Sequence, residues 1–261
     1  MTYEINLNYP AKNFDKRIRF LVLHYTAKNF EDSLEILTQE AFGVSGHYLI
    51  PESSIDGKKQ IFQLVPEKHR AWHAGVSAWQ GRIHLNDTSI GIEIVNLGYQ
   101  EEGEKRRWFP FLDYQIELII ELAKDIIERY QLHPTCVVGH SDISPERKAD
   151  PGPLFPWKKL YEQGIGAWYE DECKKEMERR LSNETTDIRW LQRHLKTYGY
   201  SIEETGELDK KPNRLSALFK CTFGQPIIQA SQTKKLMRYS THSLKSIFLK
   251  SFLATKLIRE V

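Results

Sequence analysis

Hydrophobic residues in this chain follow two rhythms, and their order along the sequence sketches a layered fold. Over Ile18 to His24, Phe20 and Val22 share one face with His24 while Leu21 and Leu23 take the other. Apolar side chains on both faces mark a central strand covered from both sides. Ser89 to Val95 alternates, with Ile90, Ile92 and Ile94 on one face and Glu93 on the other. His47 to Ile50 and Gln60 to Val65 are strand-like, with a turn expected at Asp56-Gly57 between them. Thr135 to Gly139 is a further buried strand, and it delivers His140. Helical spacing takes over at about Phe30 to Ala41, where Leu34, Ile36 and Leu37 form the apolar side. It returns more strongly over Asp113 to Tyr130, through Ile116, Ile119, Ile120, Ala123 and Ile127. Strands and helices mixed in this order predict an α/β protein, a mixed central sheet flanked by helices.

The pattern changes after Trp157. Trp168 to Glu184 is dense in charge and predicts a solvated helix or linker. Thr186 or Asp187 is placed to cap a helix carrying Ile188, Leu191 and Leu195, and Gly199 suits its end. The expected organisation is therefore a main domain over 1–168, a charged linker over 169–185, and a small helical domain from 186.

Composition narrows the possibilities. With 37 basic against 35 acidic residues the net charge is +2, which gives no general attraction to nucleic acid. No apolar run is long enough to span a bilayer, and the first residues show no signal-peptide pattern. Cys136, Cys173 and Cys221 are few and far apart, which argues against a disulfide framework and against a cysteine zinc site. Any metal would be held by histidine and carboxylate.

The candidate chemistry gathers around Gly139 to Trp157. Pro145, Pro151, Pro153 and Pro156 stiffen this stretch, which carries His140, Lys148 and Asp150 and is expected to form neither helix nor sheet. His24 and His140 both end buried strands, where α/β sheets gather their sites. With Asp150 they would make a three-ligand set that leaves one zinc position open for water. Glu93 is the candidate base, and Lys148 could face a developing oxyanion. Spacing alone does not join these residues. A histidine ending an apolar strand is more often a hydrogen-bonded core residue, Glu93 could be the solvent side of its strand, and Lys148 an ordinary loop charge.

Five ordered blocks supply the join. Val22 to Thr26, Ser45 to Leu49, Ala71 to Gly75, Asn86 to Asn96 and the 139–157 stretch together resemble the zinc-dependent N-acetylmuramoyl-L-alanine amidases of the type-2 family, over roughly residues 15–160. The resemblance implies zinc held by His24, His140 and Asp150, with Glu93 and Lys148 as catalytic helpers. It implies hydrolysis of the amide between N-acetylmuramic acid and L-alanine, in peptidoglycan or muropeptides. Tyr48 and Trp72 lie in matching blocks and are expected to line the groove, although each could equally be packing. His47 and His73 also lie in matching blocks, but the family's zinc does not use those positions. The alternative is a non-catalytic peptidoglycan-recognition module, a kind that usually lacks a zinc ligand. The substrate points to the cell envelope, and the lack of a visible signal peptide to the cytoplasm.

Ile188 to Lys211 resembles the start of a small helical peptidoglycan-binding domain, which should continue into a helix containing a Phe-Gln pair. Asn213 to Pro226 lacks that pattern. Shifting the reading frame near Lys211 turns Phe219-Lys220 into Gln or a stop, and with Gln it is compatible with a restored Phe-Gln helix. Residues 212–261 are therefore expected to be an out-of-frame reading that disrupts the helical domain; the alternative is a divergent basic tail whose charges (Lys234, Lys235, Arg238, Lys245, Lys250) face water or an anionic surface. Resequencing the DNA across codons 207–215 tests this; codons unable to give the shifted string would refute it.

Overall fold

In the computed structural model, which describes residues 3–103, 105–168 and 188–207, the strand expected at Ile18 to His24 runs Phe20–Tyr25 (β1). The chain continues through α1 (Phe30–Thr38), β2 (Tyr48–Ile50), β3 (Phe62–Gln63), β4 (Ala78–Trp79), β5 (Arg82–Ile83) and β6 (Ser89–Ile94). Next come β7 (Tyr99–Glu102), β8 (Lys105–Trp108), α2 (Asp113–Tyr130), β9 (Val137–Gly139), α3 (His140–Ile143) and α4 (Trp157–Tyr161). After the charged stretch comes α5 (Ile188–Tyr198). The linker at 169–185, the cap at Thr186 or Asp187 and the tail at 212–261 lie outside the described residues.

Five strands form the main sheet in the order β3-β2-β6-β1-β9. The pairs β2/β6, β6/β1 and β1/β9 are parallel, and β3 runs antiparallel at one edge, so the sheet is mixed. Both of its faces are covered. Leu21, Leu23, Ile90, Ile92 and Ile94 face α2 in one large core cluster. Each such fully buried aliphatic side chain contributes about 1.5–3 kcal/mol. The buried stripe of α2 is rotated slightly from the expected one: Leu118, Leu122 and Ile126 are buried, while Ile120 and Ile127 are only partly so. Gln115 joins the buried side because its amide donates to Val95 O at 2.6 Å.

The opposite face carries Phe20 and Val22 of β1, which belong to a second core cluster with Trp79 and Val138. Leu195, Tyr198 and Tyr200, in and just after α5, complete that cluster. Trp79 is fully buried; its ring meets Tyr200 edge-on at 4.7 Å and Tyr198 at 5.6 Å. Its indole N–H donates to Thr135 O at 3.0 Å, so the polar end of the ring is satisfied.

The turn expected at Asp56-Gly57 is present, with both residues at positive φ (50° and 70°). The strand expected over Gln60 to Val65 shortens to Phe62–Gln63. Two short hairpins, β4/β5 and β7/β8, had no counterpart in the expectations.

Candidate metal centre

Parallel pairing brings three strand ends side by side. His24 is the register partner of Glu93, and Leu23 that of Gly139, so His140 follows at the level of His24. The 139–157 stretch is not purely irregular as expected, because His140 opens a helical turn, α3. Asp142 holds that turn by accepting from the Gly139 N–H at 2.8 Å. The chain then returns so that Asp150 O accepts from the Ser141 N–H at 2.8 Å. A Cβ at position 139 would lie 2.6 Å from Pro151 Cδ, so the return can close this tightly only against glycine.

His24, His140 and Asp150 consequently converge, and all three are buried. His24 Nδ1 lies 2.9 Å from His140 Nδ1 and 3.0 Å from Asp150 Oδ2. His140 Nδ1 is also 3.0 Å from Asp150 Oδ2. Ligand atoms that share one zinc ion, at about 2 Å each, must lie within about 4 Å of one another, and these do. The proton arrangement fits as well. His140 Nε2 faces Ala74 O at 3.1 Å. A carbonyl only accepts, so the ring proton belongs on Nε2, and Nδ1 presents a lone pair to the cluster.

Burial, reinforced by the neighbouring His140, lowers His24 to about 4 even though Asp150 pulls the other way. The imidazole is neutral at physiological pH, as a ligand must be. Burial alone would raise Asp150, but His140 and His24 outweigh it and hold the carboxyl well below the usual carboxylate range. Two imidazoles and a carboxylate, buried and convergent, are a donor set suited to a divalent cation.

Glu93 stands beside the cluster, with Oε1 3.9 Å from His24 Nδ1. It is buried, not solvent-facing. Burial, together with the charge of Asp150, pushes it up to about 8, partly countered by Lys148. Lys148 is half-buried, and its charge acts on both Glu93 and His24. Trp72 is exposed at the surface next to His73, held by mutual hydrogen bonds with Ser45.

Tyr48 does not line this site. In register with Ile92, it projects to the α2 face, the opposite side of the sheet from His24 and Glu93. Its hydroxyl donates to Glu67 at 2.7 Å. The strand residues around it are buried on both faces, so no alternation revealed which way it points. His47 and His73 are outside the three-ligand set. His47 Nδ1 accepts from the Gly91 N–H at 3.0 Å. His73, however, touches a member of that set: its Nδ1 is 2.9 Å from His24 Nε2. The sequence signal for that contact was the Ala71 to Gly75 block, whose histidine lies outside the three-residue set.

Fold and site define a class: α/β proteins with a buried two-histidine, one-carboxylate centre at the carboxyl edge of the sheet, and an acid of raised pKa beside it. The family model described as N-acetylmuramoyl-L-alanine amidase matches residues 14–153, and the chain belongs to that family of enzymes. It is 46% identical over 204 residues to the N-acetylmuramoyl-L-alanine amidase AmiD of Escherichia coli, covering 77% of this chain and 73% of that protein. Identity to the 1,6-anhydro-N-acetylmuramyl-L-alanine amidase AmpD of Enterobacter cloacae is 44% over 102 residues, 39% of this chain and 50% of that one. Among solved structures, E. coli AmiD in complex with the substrate anhydro-N-acetylmuramic acid-L-Ala-D-gamma-Glu-L-Lys superposes with a TM-score of 0.77 at 37% identity, covering 99% of this chain and 95% of that one. Pseudomonas aeruginosa AMPDH3 in complex with anhydromuramic pentapeptide gives 0.75 at 35% identity, covering 97% and 95%.

Proposed function

We propose that this protein is a zinc-dependent amidase that hydrolyses the bond between the lactyl group of N-acetylmuramic acid and L-alanine, in peptidoglycan or its muropeptide fragments. The observation that carries this reading is the meeting of His24, His140 and Asp150 with Glu93 beside them. His24, His140 and Asp150 would hold the ion, which when bound lowers the pKa of water and polarises a carbonyl. Glu93 takes the proton of the attacking water and returns it to the amine of L-alanine as the C–N bond breaks. A carboxyl group whose pKa is raised toward neutrality suits both directions of that transfer. Lys148 places positive charge where the oxyanion of the tetrahedral intermediate forms. Trp72, exposed beside His73, offers an aromatic face at the rim for sugar or peptide.

The muropeptides bound by AmiD and AMPDH3 support this substrate class. Among the described residues no helix is long and apolar enough to cross a membrane. Mass spectrometry of products from an anhydro-muropeptide and from intact sacculi, with and without a chelator, tests the proposal. The expected result is a free stem peptide starting at L-alanine, lost on chelation and restored by zinc. Binding of sacculi by zinc-loaded protein without any release would instead identify a recognition module. Cell fractionation then assigns the compartment: envelope for work on the wall, cytoplasm for recycled fragments.

A further inference from the structure

We propose that the short segment His73-Ala74, pinned by Asn86 and closed by Ser89, is the device that fixes both imidazole ligands. His73 and Ala74 are thus positioning residues for His24 and His140. The inference rests on the metal reading above and concerns how the ligand rings are oriented.

The proton positions follow from one group that can only accept. Ser89 Oγ donates to Leu85 O at 2.5 Å, which uses its single proton. The contact of 3.1 Å between Ser89 Oγ and His73 Nε2 must then be donated by the histidine. A neutral His73 with its proton on Nε2 has a lone pair on Nδ1. The 2.9 Å contact to His24 Nε2 is therefore donated by His24. His24 is left with a lone pair on Nδ1, the atom that faces His140 and Asp150. Ala74 O, the next residue's carbonyl, fixes His140 in the same tautomer. Both ligand rings are locked by adjacent residues of one segment, and both present Nδ1 to one point.

The segment is itself held. Asn86 Oδ1 accepts from the His73 N–H at 3.0 Å and from the Ala74 N–H at 2.7 Å, so one buried oxygen clamps two consecutive amides. The His73 ring lies against the backbone of β6, where a Cβ at Gly91 would come within 2.5 Å of it. A buried histidine that served only packing would need neither this fixed sequence of donors nor a strand glycine beneath its ring. Partners of this kind orient a ligand and raise its basicity.

Zinc affinity of the full chain, by competition with a chromogenic chelator, tests the proposal, with the cobalt(II) absorption spectrum as a second readout. His73→Phe keeps a flat ring and removes the acceptor; it should weaken zinc binding about 10–100-fold and alter the cobalt spectrum. His73→Asn, whose side-chain oxygen can stand where Nδ1 stood, should recover most of that loss. Ser89→Ala, which unlocks the tautomer one step away, should weaken binding by a smaller factor. Thermal melting of the metal-free variants separates these effects from general destabilisation. A His73→Phe protein that melts normally and binds zinc as tightly as the parent, with the same cobalt spectrum, overturns the proposal. If His73→Phe does not fold, Ser89→Ala decides, and unchanged affinity and spectrum there overturn it. Failure of the parent itself to bind zinc would sink the metal reading instead.

Discussion

Two clusters built around buried carboxylates, Glu67 and Asp150, occupy opposite faces of the same sheet, and they are built on opposite principles. Around Glu67, donors converge on an acceptor: Tyr48 Oη and Tyr130 Oη each donate at 2.7 Å, and the Arg129 guanidinium grips both carboxylate oxygens. Around His24, acceptors converge on one another, with two imidazole lone pairs and a carboxylate meeting within 3.0 Å. The first cluster is complete as the chain folds it, and it ties β2 and the Glu67 loop to the end of α2. The second is a donor set that a cation would complete. Burial and charge together do not identify a functional site; the sign of what converges does.

Substitutions can break that contrast, and the largest effect should come from Asp150→Ala. It removes the charged member of the acceptor cluster, a loss worth about 3–5 kcal/mol. Zinc affinity should fall roughly a hundred- to a few-thousand-fold, and activity with it, as read by chelator competition and product release. Full metal occupancy in this variant would point to another third ligand. Glu93→Gln should leave zinc affinity near that of the parent while turnover falls about 10²–10⁴-fold, since a proton carrier is lost and a ligand is not. Unchanged turnover would remove Glu93 from the mechanism.

On the other face the effects should be smaller and should spare catalysis. Glu67→Gln should lower stability at pH 7 by about 2 kcal/mol, the scale of hydrogen bonds to a charged group, with kcat/KM unaltered. Burial works against the Glu67 carboxylate, but Arg129, Tyr130 and Tyr48 outweigh it and lower its pKa. A depressed carboxylate contributes stability that is fully present above its unfolded value, about 4.3, and lost as pH falls through the folded value. Denaturant titrations between pH 7 and pH 3 should therefore show the parent losing its advantage over Glu67→Gln on the acid side. The smallest effect is expected from Tyr48→Phe, about 1 kcal/mol of stability with no change in KM. A raised KM would return Tyr48 to the substrate groove.

Much of this was legible in the sequence, for identifiable reasons. β1 and β6 announced themselves because both faces of one and one face of the other are aliphatic. The long helix α2 did so because its apolar positions recur over 18 residues. The three residues that converge could be named as candidate ligands because each ends a strand or sits in a proline-fenced stretch within blocks that resemble a family. Tyr48 was misplaced because three consecutive buried residues carry no alternation to orient it. The β4/β5 hairpin was missed because its strands have two residues each and its turn uses Gln80-Gly81, both at positive φ, where Asn or Asp is the usual first residue. His73 was set aside as a non-ligand, and it lies outside the three-residue cluster. That it meets His24 across 49 positions depends on tertiary packing and has no local trace.

The seat of Trp79 against Tyr198 and Tyr200 has a consequence in time. The main core draws on residues as far as Ile165, whereas the indole is covered only when Tyr200 has been made. At ordinary elongation rates those roughly 35 further residues take about 2–7 s. For that interval a nascent chain carries its largest core side chain partly bare beside a nearly finished sheet, a surface on which a chaperone, or another nascent copy, can act. A message that stops before codon 200 would leave it so permanently.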